Sequence, residues 1–347
     1  MKHYFIENPV SGKNYPGNII EDLVRPAAVE TGIDFEIYTT KCRGDATAFV
    51  KEKCSEANGA PVRFYAVGGD GTLYEVVNGV VGFPNAEVTC VPKGSGNDYI
   101  RLYGGKDFFL DVKDLINGTV LAVDGLRLDD GTGVYEYAIN QASMGFDAEA
   151  CAYQSEMKKI PGSFGHISYL LAGLYCMFTK AYNTFACEVD GEPVHGPFFL
   201  AAACSSRWYA SGIKVAPFAD PCDGLLDFVI IRRDMWWPSL FKLAIYDWQS
   251  KGTHYLSKSC LYMRGRKMVC RPEHPMMLNT DGESRLVEQI TMEAVPNCFN
   301  FVIPSHSPYL KGAPGHDIDT RKRPSHSLHI FDKVVNHGLM GYGRKRY

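Results

Sequence analysis

Apolar and polar positions change rhythm once along this chain. Through the first hundred residues, short β-rich runs alternate with segments of helical spacing. His3–Glu7, Asp34–Thr39, Val62–Val67 and Glu87–Val91 read as strands. Between them, Gly17–Thr31, Asp45–Ala57 and Thr72–Val80 place apolar residues on one helical face, and Asp98–Leu102 opens a further helix. That alternation predicts a parallel sheet with crossover helices. Beyond about Val120, strands follow strands: Val134–Ser143, Thr184–Val189, His195–Ala203, Leu225–Ile231, Leu261–Arg264, Lys267–Arg271, Val287–Ala294 and Phe299–Ile303. Asp190-Gly191 and Asp281-Gly282 mark hairpin turns among them. Helices over Gly165–Ala181 and Pro238–Ser250 interrupt the run. The pattern predicts an α/β domain over 1–122 and a mainly antiparallel β-sandwich over 123–304. A tail over 305–347 carries the basic clusters Arg321–Arg323 and Arg344–Arg346, and is expected to pack back on the first domain or to fray.

Composition narrows the function classes. The 347 residues are 46% hydrophobic and 22% charged, with 36 Lys+Arg against 39 Asp+Glu. No basic excess points to nucleic acid. Eleven scattered cysteines with no C-x-x-C read as free thiols in a reducing compartment. The N-terminus lacks a long apolar leader, and no run approaches the ~18 apolar residues of a membrane span. A cytoplasmic enzyme is expected. No H-x-x-x-H, H-E-x-x-H or G-x-S-x-G motif indicates a metal cage or a hydrolase elbow.

Three glycine-rich or small polar loops follow strands. Gly68-Gly69-Asp70-Gly71-Thr72-Leu73 leaves a strand and opens a helix, so its N–H groups can cradle phosphates. Asp70 would repel a bare phosphate, and makes sense as the partner of a divalent cation that the phosphates share. Gly94-Ser95-Gly96-Asn97-Asp98 is a second such connection, and Asn8-Pro9-Val10-Ser11-Gly12-Lys13 a third. Ligands of open α/β sheets bind outside the carboxyl ends of strands, where these loops converge.

In order and spacing these loops resemble the nucleotide motifs of the diacylglycerol kinase catalytic domain family, which includes bacterial soluble lipid kinases and sphingosine kinases. The resemblance spans roughly residues 3–304 and takes in Asp223-Gly224-Leu225-Leu226-Asp227 and Asp281-Gly282-Glu283. Gly-Gly-Asp-Gly also occurs in NAD kinases and phosphofructokinases, whereas Asn-Pro-x-Ser-Gly and Gly-Ser-Gly-Asn-Asp favour the lipid kinases. The resemblance implies a phosphofructokinase- or NAD-kinase-like α/β domain and a sandwich with the active site between them. It implies ATP contacts from Asn8, Pro9, Val10, Ser11, Gly12, Thr40, Gly68, Gly69, Asp70, Gly71, Thr72, Leu73, Glu75, Gly94, Ser95, Asn97 and Asp98. Lys93 is unusual beside the second loop and carries no assigned role, and Cys204-Ser205-Ser206-Arg207 departs from the usual Asn-Gly.

Two Asp-Gly-Glu triplets compete for the transfer step, Asp190-Gly191-Glu192 and Asp281-Gly282-Glu283. Family order selects the second, with Asp281 or Glu283 taking the hydroxyl proton. The resemblance further implies a structural Mg²⁺ held by Asp223 and the carbonyls of Asp220 and Leu225. The resulting expectation is an ATP- and Mg²⁺-dependent kinase of a lipid hydroxyl such as diacylglycerol. A kinase of a polar small molecule and a nucleotide-binding regulator without transfer are the alternatives. Expected partners are the lipid acceptor and, transiently, the inner membrane face, with Trp236, Trp237 and the basic clusters as candidate contacts. A second copy of the chain is a further candidate.

Overall fold

The computed structural model describes residues 1–12, 17–157, 184–233, 252–257 and 259–312. The expected helices over Gly165–Ala181 and Pro238–Ser250, Lys13, Trp236, Trp237 and both basic clusters lie outside them.

The parallel half forms as its pattern predicts. Val62–Gly68 is buried at every position because it lies between Lys2–Glu7 and Ala86–Pro92, both parallel to it, with helices packed nearby. Among the described residues Asp34–Thr39 pairs only with Lys2–Glu7, and it is half-buried, as an edge strand is. The helix Asp45–Glu56 buries Ala46, Phe49, Val50 and Cys54, and Asp70–Val80 buries Leu73, Val76, Val77 and Val80. Both spacings are those of one helical stripe.

The antiparallel half contains a six-stranded sheet in the order Cys260–Gly265, Leu226–Arg232, Phe198–Cys204, Gln141–Gly145, Met276–Thr280, Glu283–Val287. Its opposing layer is not a separate sheet. The long strand Ile290–Ile303 pairs parallel with Ala86–Pro92 through Asn300 and Phe301, and antiparallel with Lys267–Pro272 through residues 290–293. One ten-stranded sheet therefore runs from the parallel half into the sandwich. Leu126, Leu128, Met268 and Met292 from that sheet meet Ala142, Met144, Ala201 and Phe228 from the other in one core.

Several elements differ from the sequence pattern. Val287–Ala294 and Phe299–Ile303 are not two strands: Val287 ends a hairpin, and the rest is one strand whose register shifts between Val295 and Phe299. Thr119–Asp129 is a strand that Asp124-Gly125 disguises as a turn. Gly125 is required there, since a Cβ would lie 2.7 Å from Cys298 Sγ, while Asp124 accepts the N–H groups of Gly224 and Asn297 at 2.6 and 3.0 Å. Val134–Ser143 divides into Glu136–Ala138 and Gln141–Gly145, and Phe146–Met157 is helical. Past the last strand, Ser307 Oγ donates to Tyr103 O at 2.7 Å and the Tyr309 ring meets Tyr103 edge-on, so residues up to 312 return to the parallel half.

Candidate active site

A cleft of about 480 Å³ opens at the carboxyl ends of the parallel strands. Asn8, Pro9, Val10 and Ser11 line it from the first strand end, Thr40 to Arg43 from the second, and Gly69, Gly71, Thr72 and Glu75 from the third. Glu283 lines it from the antiparallel half.

The local geometry explains the residue types. Asn8 closes its own turn by accepting the Val10 N–H at 3.1 Å and donates to Thr72 Oγ1 at 3.2 Å, which ties the first loop to the third. Thr40 donates its N–H and its hydroxyl to Glu7 O at 2.9 and 3.2 Å, holding neighbouring strand ends together. Glu75 reaches across to accept the N–H groups of Gly44 and Ala46 at 3.0 and 3.3 Å, and so caps the helix Asp45–Glu56.

Gly12, Gly68, Asp70, Gly94, Ser95, Asn97 and Asp98 do not line the cleft but belong to the loops adjoining it. The two glycine loops touch there without side chains: a Cβ on Gly94 would stand 2.5 Å from Gly69 Cα, and one on Gly68 would stand 2.3 Å from Thr72 Oγ1. Asp70 Oδ1 accepts the N–H groups of Asp98 and Tyr99 at 2.8 and 3.3 Å. Burial raises its pKa, against the pull of those amides. Asp98 in turn accepts the Ser211 N–H at 2.7 Å and the Arg101 Nε–H at 2.9 Å, joining the loop to the antiparallel half. Asn97 adopts a left-handed φ of 48° and donates to Gly94 O at 2.9 Å. The Leu73 side chain packs into the core because it falls on the apolar stripe of its helix.

The two Asp-Gly-Glu triplets are built alike. Asp190 and Asp281 both have left-handed φ, and both turn their carboxylates onto backbone amides. Asp190 accepts from Arg266 and Lys267 at 2.9 and 2.8 Å. Asp281 accepts from Ile139, Asn140 and Gln141 at 2.6, 2.9 and 3.0 Å. Desolvation pushes Asp281 up to about 7 while these amides pull it down. Its oxygens are occupied by backbone amides, so the triplet's cleft-lining carboxylate is that of Glu283, whose side chain is 46% exposed and pairs with Arg43. Glu192, in the other triplet, is exposed on a short strand and does not line it.

Lys93 has a place after all. It donates to Glu7 at 2.9 Å and packs under Gly12, where a Cβ would stand 2.3 Å from Lys93 Cγ. The residues that sequence reasoning missed are Lys41, Cys42 and Arg43, which follow Thr40 in a turn with no glycine-rich or phosphate-type signature.

The loops fit a nucleotide: bare glycine backbone stands beside hydroxyls and amides in one cleft. Among the described residues no group of three His, Cys, Asp or Glu side chains is arranged to hold a metal ion. A Mg²⁺ that arrives with a nucleotide needs only one or two carboxylates beside the phosphates. Asp70 is the carboxylate of the glycine loop next to the cleft, with its Oδ1 engaged by two backbone amides. The carboxylates of the Asp223 turn are engaged within the chain. Asp223 Oδ2 is engaged by the Arg264 guanidinium, Oδ1 accepts the Leu225 N–H at 3.1 Å, and Asp220 accepts from Cys222 N–H and Tyr309 hydroxyl at 3.2 and 2.9 Å. Arg264 also stands 3.4 Å from Asp227, so a guanidinium supplies the positive charge in this turn.

Residues 2–128 match the family model of the diacylglycerol kinase catalytic domain, and residues 140–303 that of the YegS C-terminal NAD kinase beta sandwich-like domain. The chain belongs to the diacylglycerol kinase catalytic domain family. It is a phosphotransferase with an alcohol as acceptor. Among family relatives, a diacylglycerol kinase of Bacillus subtilis (strain 168) is 25% identical over 282 residues, covering 80% of this chain and 88% of its own. A protein of Klebsiella pneumoniae (strain 342), named probable lipid kinase YegS-like, is 29% identical over 81% of this chain and 90% of its own. The fold matches the crystal structure of a diacylglycerol kinase from Bacillus anthracis str. Sterne with a TM-score of 0.62 at 18% identity, covering 87% of this chain and 96% of that one.

Proposed function

We propose that this lipid kinase family member transfers the γ-phosphate of ATP, with Mg²⁺, to the hydroxyl of a lipid such as diacylglycerol. The observation that carries the reading is that one cleft joins the loops of Asn8–Ser11 and Gly69–Thr72 to the carboxylate of Glu283. In this reading residues 1–122 bind the nucleotide and 123–304 present the acceptor.

Phosphoryl transfer is governed by positioning and charge. Backbone N–H groups of Gly69 and Gly71, at a helix N-terminus, receive the phosphates, with the Asn8, Ser11 and Thr72 side chains beside them. Asp70 would hold a Mg²⁺ shared with the phosphates, which would supply neutralisation of their charge. Asp70 also holds the Gly94–Asp98 loop in place through its two amide contacts. Glu283 accepts the proton of the attacking hydroxyl. Asp281 positions Glu283 by pinning the base of its hairpin to residues 139–141. Among the described residues no helix is long and apolar enough to cross a membrane, so a bilayer-embedded acceptor is met at the membrane surface in this reading.

Transfer of labelled phosphate from ATP to a panel of lipid alcohols in mixed micelles, with NAD and other polar alcohols alongside, tests it. Labelled lipid phosphate is the expected product. Label only in polar products would assign the chain to the other substrate class.

A further inference from the structure

A triphosphate entering the cleft needs cations, and the candidates are few. Lys93 is committed to Glu7, and Lys106 donates to Gly94 O at 2.6 Å. Among the described residues, the basic side chains that line the cleft are Lys41 and Arg43. Arg43 Nη1 stands 2.9 Å from Glu283 Oε2, so its guanidinium spans from the parallel half to the carboxylate assigned above as proton acceptor. The backbone beneath Arg43 is fixed, because Glu75 holds the N–H groups of Gly44 and Ala46. The guanidinium is free to move: the Arg43 side chain is 75% exposed.

We propose that Arg43 is a phosphate-binding residue that Glu283 holds in reserve until nucleotide arrives. An exposed Arg–carboxylate pair is weak, whereas a guanidinium can meet phosphate oxygens through two parallel hydrogen bonds. On nucleotide entry Arg43 leaves Glu283 for the phosphates, and the same movement frees the Glu283 carboxylate for the acceptor hydroxyl. The proton acceptor is thereby uncovered only when a phosphate is present to be transferred. The proposal rests on the kinase reading above and adds to it the residue that senses the nucleotide and the order of events.

Equilibrium binding of ATP with Mg²⁺, measured calorimetrically without acceptor, tests it on the wild type and four variants. Arg43→Met should weaken ATP binding about tenfold, the scale of a charged hydrogen bond, and Arg43→Lys should recover part of the loss. Glu283→Gln should tighten binding severalfold, because it removes the competitor for Arg43. The double variant Arg43→Met/Glu283→Gln should bind as Arg43→Met does. Unchanged affinity in Arg43→Met would overturn the proposal. So would an equal tightening by Glu283→Gln in both backgrounds, which would mean that Glu283 acts on phosphate directly. Failure of the wild-type protein to bind ATP at all would instead defeat the kinase reading. Both side chains are exposed enough that unaltered thermal melting of the variants is the expected control.

Discussion

Asp70 holds the backbone of Asp98: its Oδ1 accepts that residue's N–H at 2.8 Å, so the carboxylate of one glycine loop fixes the next. The residue therefore has a structural and an electrostatic task, and two substitutions separate them. Asp70→Asn keeps an oxygen acceptor for the amide but loses the charge. Transfer should fall on the order of a thousandfold with thermal stability nearly unchanged. Asp70→Ala loses both, and hydrogen exchange at Asp98 and Tyr99 should then rise as well. Near-normal turnover in Asp70→Asn would show that the charge is not needed.

Asp281 and Glu283 sit two residues apart with different surroundings. Asp281→Asn turns an amide donor toward backbone N–H groups, leaving at least one of them unsatisfied. A loss of about 1–3 kcal/mol in unfolding free energy is expected. Glu283→Gln touches no such network, so stability should hold while transfer is largely lost. Urea denaturation and a transfer assay on both variants check this. The reverse assignment would give a stable, inactive Asp281→Asn and an active Glu283→Gln.

Gly94 and Gly71 divide fold from ligand in the same way. Gly94→Ala drives a methyl into the Gly69 backbone at 2.5 Å, an overpacking that costs about 1–3 kcal/mol and shifts both loops. A Cβ on Gly71 meets nothing within 4 Å, and its φ is not left-handed, so Gly71→Ala should fold normally. Gly71 nevertheless lines the cleft. Gly71→Ala should therefore weaken ATP binding with little change in melting temperature, and Gly94→Ala should lower both. Unimpaired ATP binding by Gly71→Ala would place the phosphates elsewhere.

The parallel half was legible because its signals are local. Strand composition, helical spacing and glycine density each act within a few residues, and all three cleft loops follow strands whose pattern is plain. What was hidden depends on partners far along the chain. Asp124-Gly125 looks like a turn until Cys298 and Asn297 lie against it. The continuity of Ile290–Ile303 depends on a register shift opposite Thr119–Asp129 that no window of sequence contains. Asp281 and Glu283 were equally plausible as proton acceptors because only residues 139–141 distinguish them. Arg43 escaped notice because an arginine in a polar turn is ordinary until the sheet brings Glu283 opposite it.

Buried His254 gives the antiparallel half a pH dependence. The residue is fully buried, its Nε2 lies 2.7 Å from Val215 O, and burial lowers its pKa from 6.5 to about 4. The unfolded chain takes up this proton near pH 6.5, while the folded chain resists until near 4. Between those values the unfolded state holds more protons, so the contribution of His254 to stability falls as pH falls and is flat above about 6.5. At pH 5 the loss is about 2 kcal/mol. Asp147, Asp227 and Asp281 are shifted up to about 6, 7 and 7, and act in the opposite direction over part of the same range. The folded state holds their protons more tightly, so each loses stability as pH rises from near 4 toward its folded value. A raw stability profile mixes the two effects, and a difference measurement isolates one. His254→Gln keeps a donor for Val215 O and does not titrate. The stability of wild type minus that of His254→Gln, from urea denaturation, should drop by about 2 kcal/mol between pH 7.5 and pH 5. A difference that stays constant would show that His254 takes up its proton in the folded protein as readily as in the unfolded chain.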